Sequence, residues 1–304
     1  MSSTLIHVAR LHYTYDLNTD APIEALRGID LQIKRGEYLA IVGHNGSGKS
    51  TLAKCLNGLL LPTPDQVGGD VWVEGRNTAQ PEALLDIRAT VGMVFQNADN
   101  QIIASVVEEE VAFGPENLGV PREELRQRVD QALRDTGLWE LRERNPRTLS
   151  AGQKARLAIA SILAMRPACL VLDESTAMLD PLSRREILAL VRQLHAGRQA
   201  LPHHMINEQQ NLSSGLTIVM ITHHMDEVLG ADRVLVLEQG RIVLEGTPRE
   251  VFAQPERLKA LGLALPPAAA IAWWLRQCGA PLQENILTSE ELIQAVTASV
   301  GVRP

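Results

Sequence analysis

Aromatic residues are scarce in this chain, only 3% of 304 residues. So few rings leave no extended stacking surface for unpaired bases. The balance of 29 Lys and Arg against 36 Asp and Glu, a net charge of −7, supplies no basic footprint for a phosphate backbone either. Nucleic acid is therefore not an expected partner. Cysteine is equally sparse. Cys55, Cys169 and Cys278 stand far apart, which argues against a disulfide framework or a thiolate zinc site and fits inert thiols in a reducing compartment. Long apolar runs are missing too. The first ten residues hold no basic start and apolar core of a secretory signal, and the uncharged stretch 260–275 is broken by Pro266-Pro267 short of the ~20 residues a spanning helix needs. If the protein works at a membrane, another polypeptide is expected to span it.

What is present is organised around Gly43-His44-Asn45-Gly46-Ser47-Gly48-Lys49-Ser50, which matches G-x-x-x-x-G-K-[ST]. The apolar run Tyr38–Val42 before it suits a buried strand, and Leu52, Leu56 and Leu59 after it recur at helical spacing. In that setting the small residues let successive backbone N–H groups face one concavity at a helix N-terminus, where phosphate binds. Lys49 then reaches the β- and γ-phosphates and the Ser50 hydroxyl a Mg²⁺ ion. A second apolar run, Ala168–Leu172, ends in Asp173-Glu174, as a central parallel strand does when its carboxyl end faces a ligand crevice. Asp173 is the expected Mg²⁺ ligand, and Glu174 the group that orients and deprotonates a water. A third run, Leu216–Thr222, ends at His223-His224, where an imidazole can bond a γ-phosphate.

The remaining segments fill in the frame. Residues 5–15 read as an edge strand with Tyr15 in the loop after it, free to stack on a base or to stand in solvent; residues 28–33 read as its antiparallel neighbour. Residues 90–96 read as a buried strand ending in Gln96, placed either to touch Mg²⁺ or the attacking water or to bond its own loop. Residues 97–148 turn helical, with Pro121 opening a helix of apolar period four, and Glu108-Glu109-Glu110 reads as a solvated face. Residues 197–215 show no periodicity. His195, His203 and His204 lie near or in that stretch, but no Cys or carboxylate pattern supports a metal site there. Residues 231–243 read as a hairpin, and a proline-punctuated helical tail follows.

Leu149-Ser150-Ala151-Gly152-Gln153, shortly before the acidic strand, resembles the signature of ATP-binding cassette proteins. The resemblance covers residues 5 to about 250. It implies an α/β P-loop cassette with a RecA-like core, an antiparallel β subdomain and an inserted helical subdomain over about 97–166, within a domain spanning 1–250; the helical extension 251–304 would serve dimerisation. By the same resemblance Tyr15 stacks on adenine, and Gly43, Asn45, Gly46, Ser47, Gly48, Lys49, Ser50 and Thr51 hold the phosphates of ATP. Ser150, Gly152, Gln153 and Asp180 complete the site of a second cassette. Gln96, Glu174 and His223 form the catalytic set, and Ser50, Gln96 and Asp173 hold Mg²⁺. Within the superfamily, residues 94–102 and 110–117 and the tail 286–292 are similar to the energy-coupling factor transporter ATPases, which power vitamin and metal-ion importers. This resemblance implies a second ATPase subunit, an integral membrane T component whose coupling helices meet residues 97–117, a substrate-binding S component, and a peripheral place on the cytoplasmic face of the cell membrane. Glu108, Glu109 and Glu110 then become candidates for pairing with arginines of the T component. Four departures from the family pattern stand out: Ala151 for glycine in the signature, Ser175 after Glu174, His224 after His223, and the long 197–215 segment. If position 151 needs φ > 0, alanine there costs roughly 1–2 kcal/mol. The alternative is a soluble cassette ATPase acting on DNA or ribosomes. The single phosphate loop, the absence of sustained heptads and the acidic balance oppose it.

Overall fold

The structure, a computed structural model, describes residues 3–16, 21–61, 69–197 and 215–300. Residues 198–214, with His203 and His204, lie outside the described residues, as do Pro62–Pro64. The chain enters as a long antiparallel pair, β1 (Thr4–Tyr15) and β2 (Ile23–Lys34). Strand β3 (Tyr38–Val42) follows and leads into α1 (Lys49–Leu56). Two short strands, β4 (Asp70–Val73) and β5 (Arg76–Asn77), close a four-stranded sheet in the order β2-β1-β4-β5. The expectation of an edge strand at 5–15 is therefore corrected: β1 is paired on both sides, with β2 and with β4. Alternation reports that one face is buried and carries no information about how many neighbours hydrogen-bond to the strand. Tyr15 is likewise the last residue of β1, opposite Ile23, and not a loop residue.

Helix α2 (Leu84–Thr90) leads into β6 (Val91–Val94), and the helical subdomain comes next, with α3 (Val107–Asn117), α4 (Arg122–Asp135) and α5 (Ala151–Ala164) packed on one another. Then come β7 (Cys169–Asp173), α6 (Pro181–His195), β8 (Thr217–Ile221) and the hairpin β9 (Arg233–Glu238) and β10 (Arg241–Gly246). The second sheet has the order β10-β9-β3-β8-β7-β6, and β9, β3, β8, β7 and β6 run parallel. Strands β3, β7 and β8 are buried at every position, as parallel strands covered on both faces must be. Their side chains alternate between two cores. Tyr38, Ala40, Leu170, Leu172, Ile218 and Met220 face the helical side, while Leu39, Ile41, Val171, Val219 and Ile221 face α1 and the antiparallel sheet. Cys55 and Cys169 belong to the second core, and burial pushes each thiol up to about 12, so neither is a nucleophile at neutral pH.

The tail forms α7 (Pro248–Phe252), α8 (Pro255–Ala260), α9 (Pro267–Gln277) and α10 (Ser289–Val300). Val251, Phe252, Leu258, Ala269 and Leu287 join the main core, and a small separate cluster forms around Ala272, Leu282 and Ile286. No helix among the described residues is long and apolar enough to cross a membrane.

Candidate active site

The parallel strands deliver their carboxyl ends to one rim: β3 into the loop 43–48, β7 into Glu174, β8 into Thr222-His223, and β6 into Phe95-Gln96. At the loop, a Cβ on Gly43 would run into the Leu237 carbonyl, and one on Gly48 would lie 2.5 Å from the Ala25 carbonyl with φ at +104°. Only glycine lets the backbone turn this tightly beside β9 and β2. Gly48 is the N-cap of α1, and the first turn of that helix carries no acidic residue, so its exposed N–H groups remain available to an anion.

Lys49 is almost fully buried and donates to the Gly43 and His44 carbonyls at 2.8 and 2.9 Å. Burial lowers the ammonium from its ordinary value, opposed by the carboxylates of Glu174 and Asp173. Ser50 Oγ donates to Asp173 Oδ1 at 2.8 Å, which sets hydroxyl and carboxylate side by side. Burial raises the Asp173 carboxyl above its usual range; the Ser50 hydrogen bond opposes this, and the neighbouring Glu174 charge adds to it.

Glu174 is where the catalytic candidates meet. Gln96 Nε2 donates to its Oε2 at 3.3 Å, His223 Nδ1 lies 3.8 Å from the same oxygen, and Lys49 Nζ lies 3.8 Å from Oε1. Its backbone is left-handed, with φ +48°, immediately after five buried strand residues. That conformation is unfavourable for a residue bearing a Cβ, and the bonds from Glu174 N to the Ile221 carbonyl and from Ala177 N to the Glu174 carbonyl hold it. Tyr15 also reaches this rim. Its hydroxyl hydrogen-bonds Thr51 Oγ1 at 3.1 Å, and its ring packs edge-on against Tyr13.

The signature residues serve a different place. Ser150 caps α5, and its side chain and that of Gln153 exchange hydrogen bonds with each other's backbone in a capping box. Ala151 occupies the first helical position and is not among the left-handed residues, so the strain considered for alanine there does not arise. A Cβ on Gly152 would lie 2.6 Å from Ser183 Oγ, which packs the signature against the first turn of α6. Asp180 caps that helix by accepting from Leu182 N and Ser183 N, both at 3.0 Å, and the Ser183 side chain first, then these backbone bonds, hold its carboxyl below the usual range. Among the described residues no hydrogen bond or ion pair joins 150–153 to the phosphate loop. One chain thus carries two separated halves.

Two features of the helical subdomain, the roles of Glu110 and Gln101, were not anticipated; a cleft falls within 97–117, where a groove was expected. Glu110 is buried, not solvated, and accepts from Ile103 N and Ala104 N at 2.8 and 2.7 Å, so it folds the 101–106 turn. The carboxylate triplet therefore divides: Glu108 pairs with Arg126 at 3.1 Å and Glu109 stays exposed. Gln101 bridges Phe95 N and the Met93 carbonyl, acting as a substitute strand along the free edge of β6 below Gln96. A cleft of about 370 Å³ opens beside it, lined by Asp99, Ile102, Ile103 and Ala104 and by Asn145–Arg147 across from them.

Residues 26–177 match the family described as ABC transporter. The chain is 53% identical over 300 residues to the energy-coupling factor transporter ATP-binding protein EcfA1 of Symbiobacterium thermophilum, covering 97% of this chain and 98% of that protein. The chain belongs to the energy-coupling factor transporter ATP-binding proteins, within the ABC transporter family. Among solved structures it is similar to cbiO1 from Clostridium perfringens, described as part of the ABC transporter complex cbiONQ, with a TM-score of 0.70 and 37% identity over 88% of this chain and 98% of that one. It is also similar to the cassette MJ0796, solved as a dimer bound to ADP and Pi, with a TM-score of 0.66 and 28% identity over 80% and 99% of the two chains. The fold is thus the ABC ATPase cassette, and the chain is an ATP-binding, ATP-hydrolysing transporter subunit.

Proposed function

We propose that this chain powers an importer of vitamins or metal ions, in which it pairs with a second ATPase subunit beneath a membrane T component and substrate-binding S components. The observation that supports this reading most strongly is the convergence of Lys49, Gln96 and His223 on the Glu174 carboxylate. Two cassettes close over two ATP molecules, each held by one chain's phosphate loop and the other's signature. Lys49 leaves the Gly43 and His44 carbonyls for the phosphates, and the loop N–H groups stabilise charge on the transferred phosphoryl. Tyr15, at the end of β1, offers its ring to adenine. Glu174 orients the attacking water and accepts its proton, while Gln96 and His223 hold the carboxylate and sense the γ-phosphate.

The oxygen donors Ser50, Asp173 and Gln96 suit Mg²⁺, a hard cation that takes few protein ligands and completes its shell with phosphate and water. Among the described residues no group of three or more His, Cys, Asp and Glu is placed to hold a metal ion. When bound, the ion supplies Lewis-acid neutralisation of the developing phosphate charge.

The 97–166 subdomain carries the motion outward. The cleft lined by Asp99, Ile102–Ala104 and Arg147 suits a coupling helix of the T component, and Glu109 is the member of the acidic triplet left exposed to meet its arginines. The tail offers Ile271, Trp274 and Ile293, all exposed, to the second subunit. Such assembly places the chain, whose described residues form no spanning helix, at the cytoplasmic face of the membrane.

Glu174→Gln tests the catalytic assignment. It should retain ATP binding and lower turnover by ~10²–10⁴-fold, the range for a general base. Near-normal turnover removes Glu174 from the mechanism.

A further inference from the structure

We propose that Glu227, outside the nucleotide-contacting set, is a positioning residue that ties the switch loop to the Glu174 loop and to the first turn of α6. Glu227 is 0% exposed. Its Oε1 accepts from Thr176 Oγ1 at 2.8 Å and lies 3.7 Å from Arg184 Nε. Each partner stands a fixed short distance from a residue of the site: Thr176 two after Glu174, Glu227 four after His223, Arg184 four after Asp180. One carboxylate therefore joins the loops that follow β7 and β8 to the helix that receives the signature through Ser183 and Gly152. Local backbone bonds make the three loops stiff, with Leu179 N donating to the Thr176 carbonyl, Glu227 N to the His224 carbonyl and Arg184 N to the Asp180 carbonyl. A shift at any one of them is carried to the others through Glu227.

The plainer reading is a buried ion pair that only holds the fold together, of the kind an apolar substitution replaces without loss. Its placement points further. Glu227 Oε2 makes no hydrogen bond to another described residue, and neither do Ser175 Oγ, His224 Nε2 or Arg184 Nε, all of them buried and on the same three segments. Within the chain these groups are spare, so protein partners can be exchanged around the carboxylate when His223 and Asp180 move, and turnover measured at matched Tm separates this from a purely structural ion pair. Ser175 and His224, two of the departures from the family pattern, supply two of the spare groups.

The experiment is steady-state ATP hydrolysis by the assembled transporter, with kcat, KM and Tm measured for each variant. Glu227→Gln keeps the acceptor for Thr176 but loses the charge facing Arg184. It should lower kcat roughly 10-fold, as a small misplacement of catalytic groups does, with KM for ATP held within about twofold. Thr176→Val should do the same, Thr176→Ser should restore turnover, and the double variant Thr176→Val/Glu227→Gln should be no worse than the poorer single. Wild-type kcat in Glu227→Gln, additive losses, or a kcat loss that follows Tm overturns the proposal. If Glu227→Gln fails to fold, the Thr176→Val and Thr176→Ser pair decides on the same criteria. The inference rests on the roles given to Glu174 and His223. Normal turnover in Glu174→Gln removes those roles, whereas normal turnover in Glu227→Gln beside a dead Glu174→Gln removes only the positioning role.

Discussion

Asp173 and Glu174 are adjacent carboxylates at the end of a buried strand, and they share that position at an energetic cost. Burial first, then the neighbouring charge, raises Asp173 in spite of the Ser50 hydrogen bond. A carboxyl whose folded value lies above its unfolded value of ~3.9 costs stability once ionised. Below the unfolded value both states are protonated and the cost vanishes; it grows as pH rises through the folded value. Asp173→Asn, which keeps an oxygen acceptor for Ser50, should therefore raise the Tm of chelator-treated, nucleotide-free protein at pH 7–8 and have little effect near pH 4. An equal gain at both pH values, or a loss at neutral pH, would show that the charge is not the strained element. Activity should be lost in the same variant, the usual exchange of stability for function.

At the scale of elements, strand–loop–helix identities followed from the chain itself. Continuous apolar runs ending at Gly43, Asp173 and His223 mark buried parallel strands, which are covered on both faces. Pairing partners were not legible: β1 alternates as an edge strand would, yet β4 closes its second side through pairs such as Ile6 with Val73 and Ala9 with Asp70, far apart in the chain. Glu110 was equally opaque. A run of three glutamates has the composition of a solvated face, and only the chain reversal at 101–106 turns one of them inward as a backbone acceptor. Candidate catalytic residues could be proposed from order and spacing, but the convergence of three side chains on Glu174, and the bond of Glu227 to Thr176, arise from contacts between distant segments, while the bonds of Gln101 arise where the chain doubles back on β6. Gly92 gives this scale its test. A Cβ there would collide with Ile162 Cγ2 on α5, so β6 and α5 touch through a glycine. Gly92→Ala should destabilise by about 1–3 kcal/mol in denaturant unfolding, the usual cost of overpacking. Adding Ile162→Ala should recover part of it. If the double variant is additive, the two residues are not in contact.

The whole molecule is asymmetric in a way no single segment reveals. Lys49 and Glu174 stand at the rim of the parallel sheet, where we propose the nucleotide binds, whereas Ser150 and Gly152 sit on the helical side against α6, with the apolar side chains of Met178 and Leu182 exposed beside Asp180. Lesions in the two halves should consequently fall on different nucleotides of the assembled pair. Lys49→Ala should abolish binding at the site that uses this chain's phosphate loop. Gly152→Ala, which forces a Cβ against Ser183, should leave that binding intact and impair hydrolysis at the opposite site. Counting vanadate-trapped nucleotide per assembled pair separates the arrangements. If the halves act across the pair, each single variant spares one site and the double variant in one chain spares neither. If both halves served the same nucleotide, the double variant would trap as much as the poorer single. Matched Tm values for the singles and the double are the control that keeps a folding defect from imitating the first result.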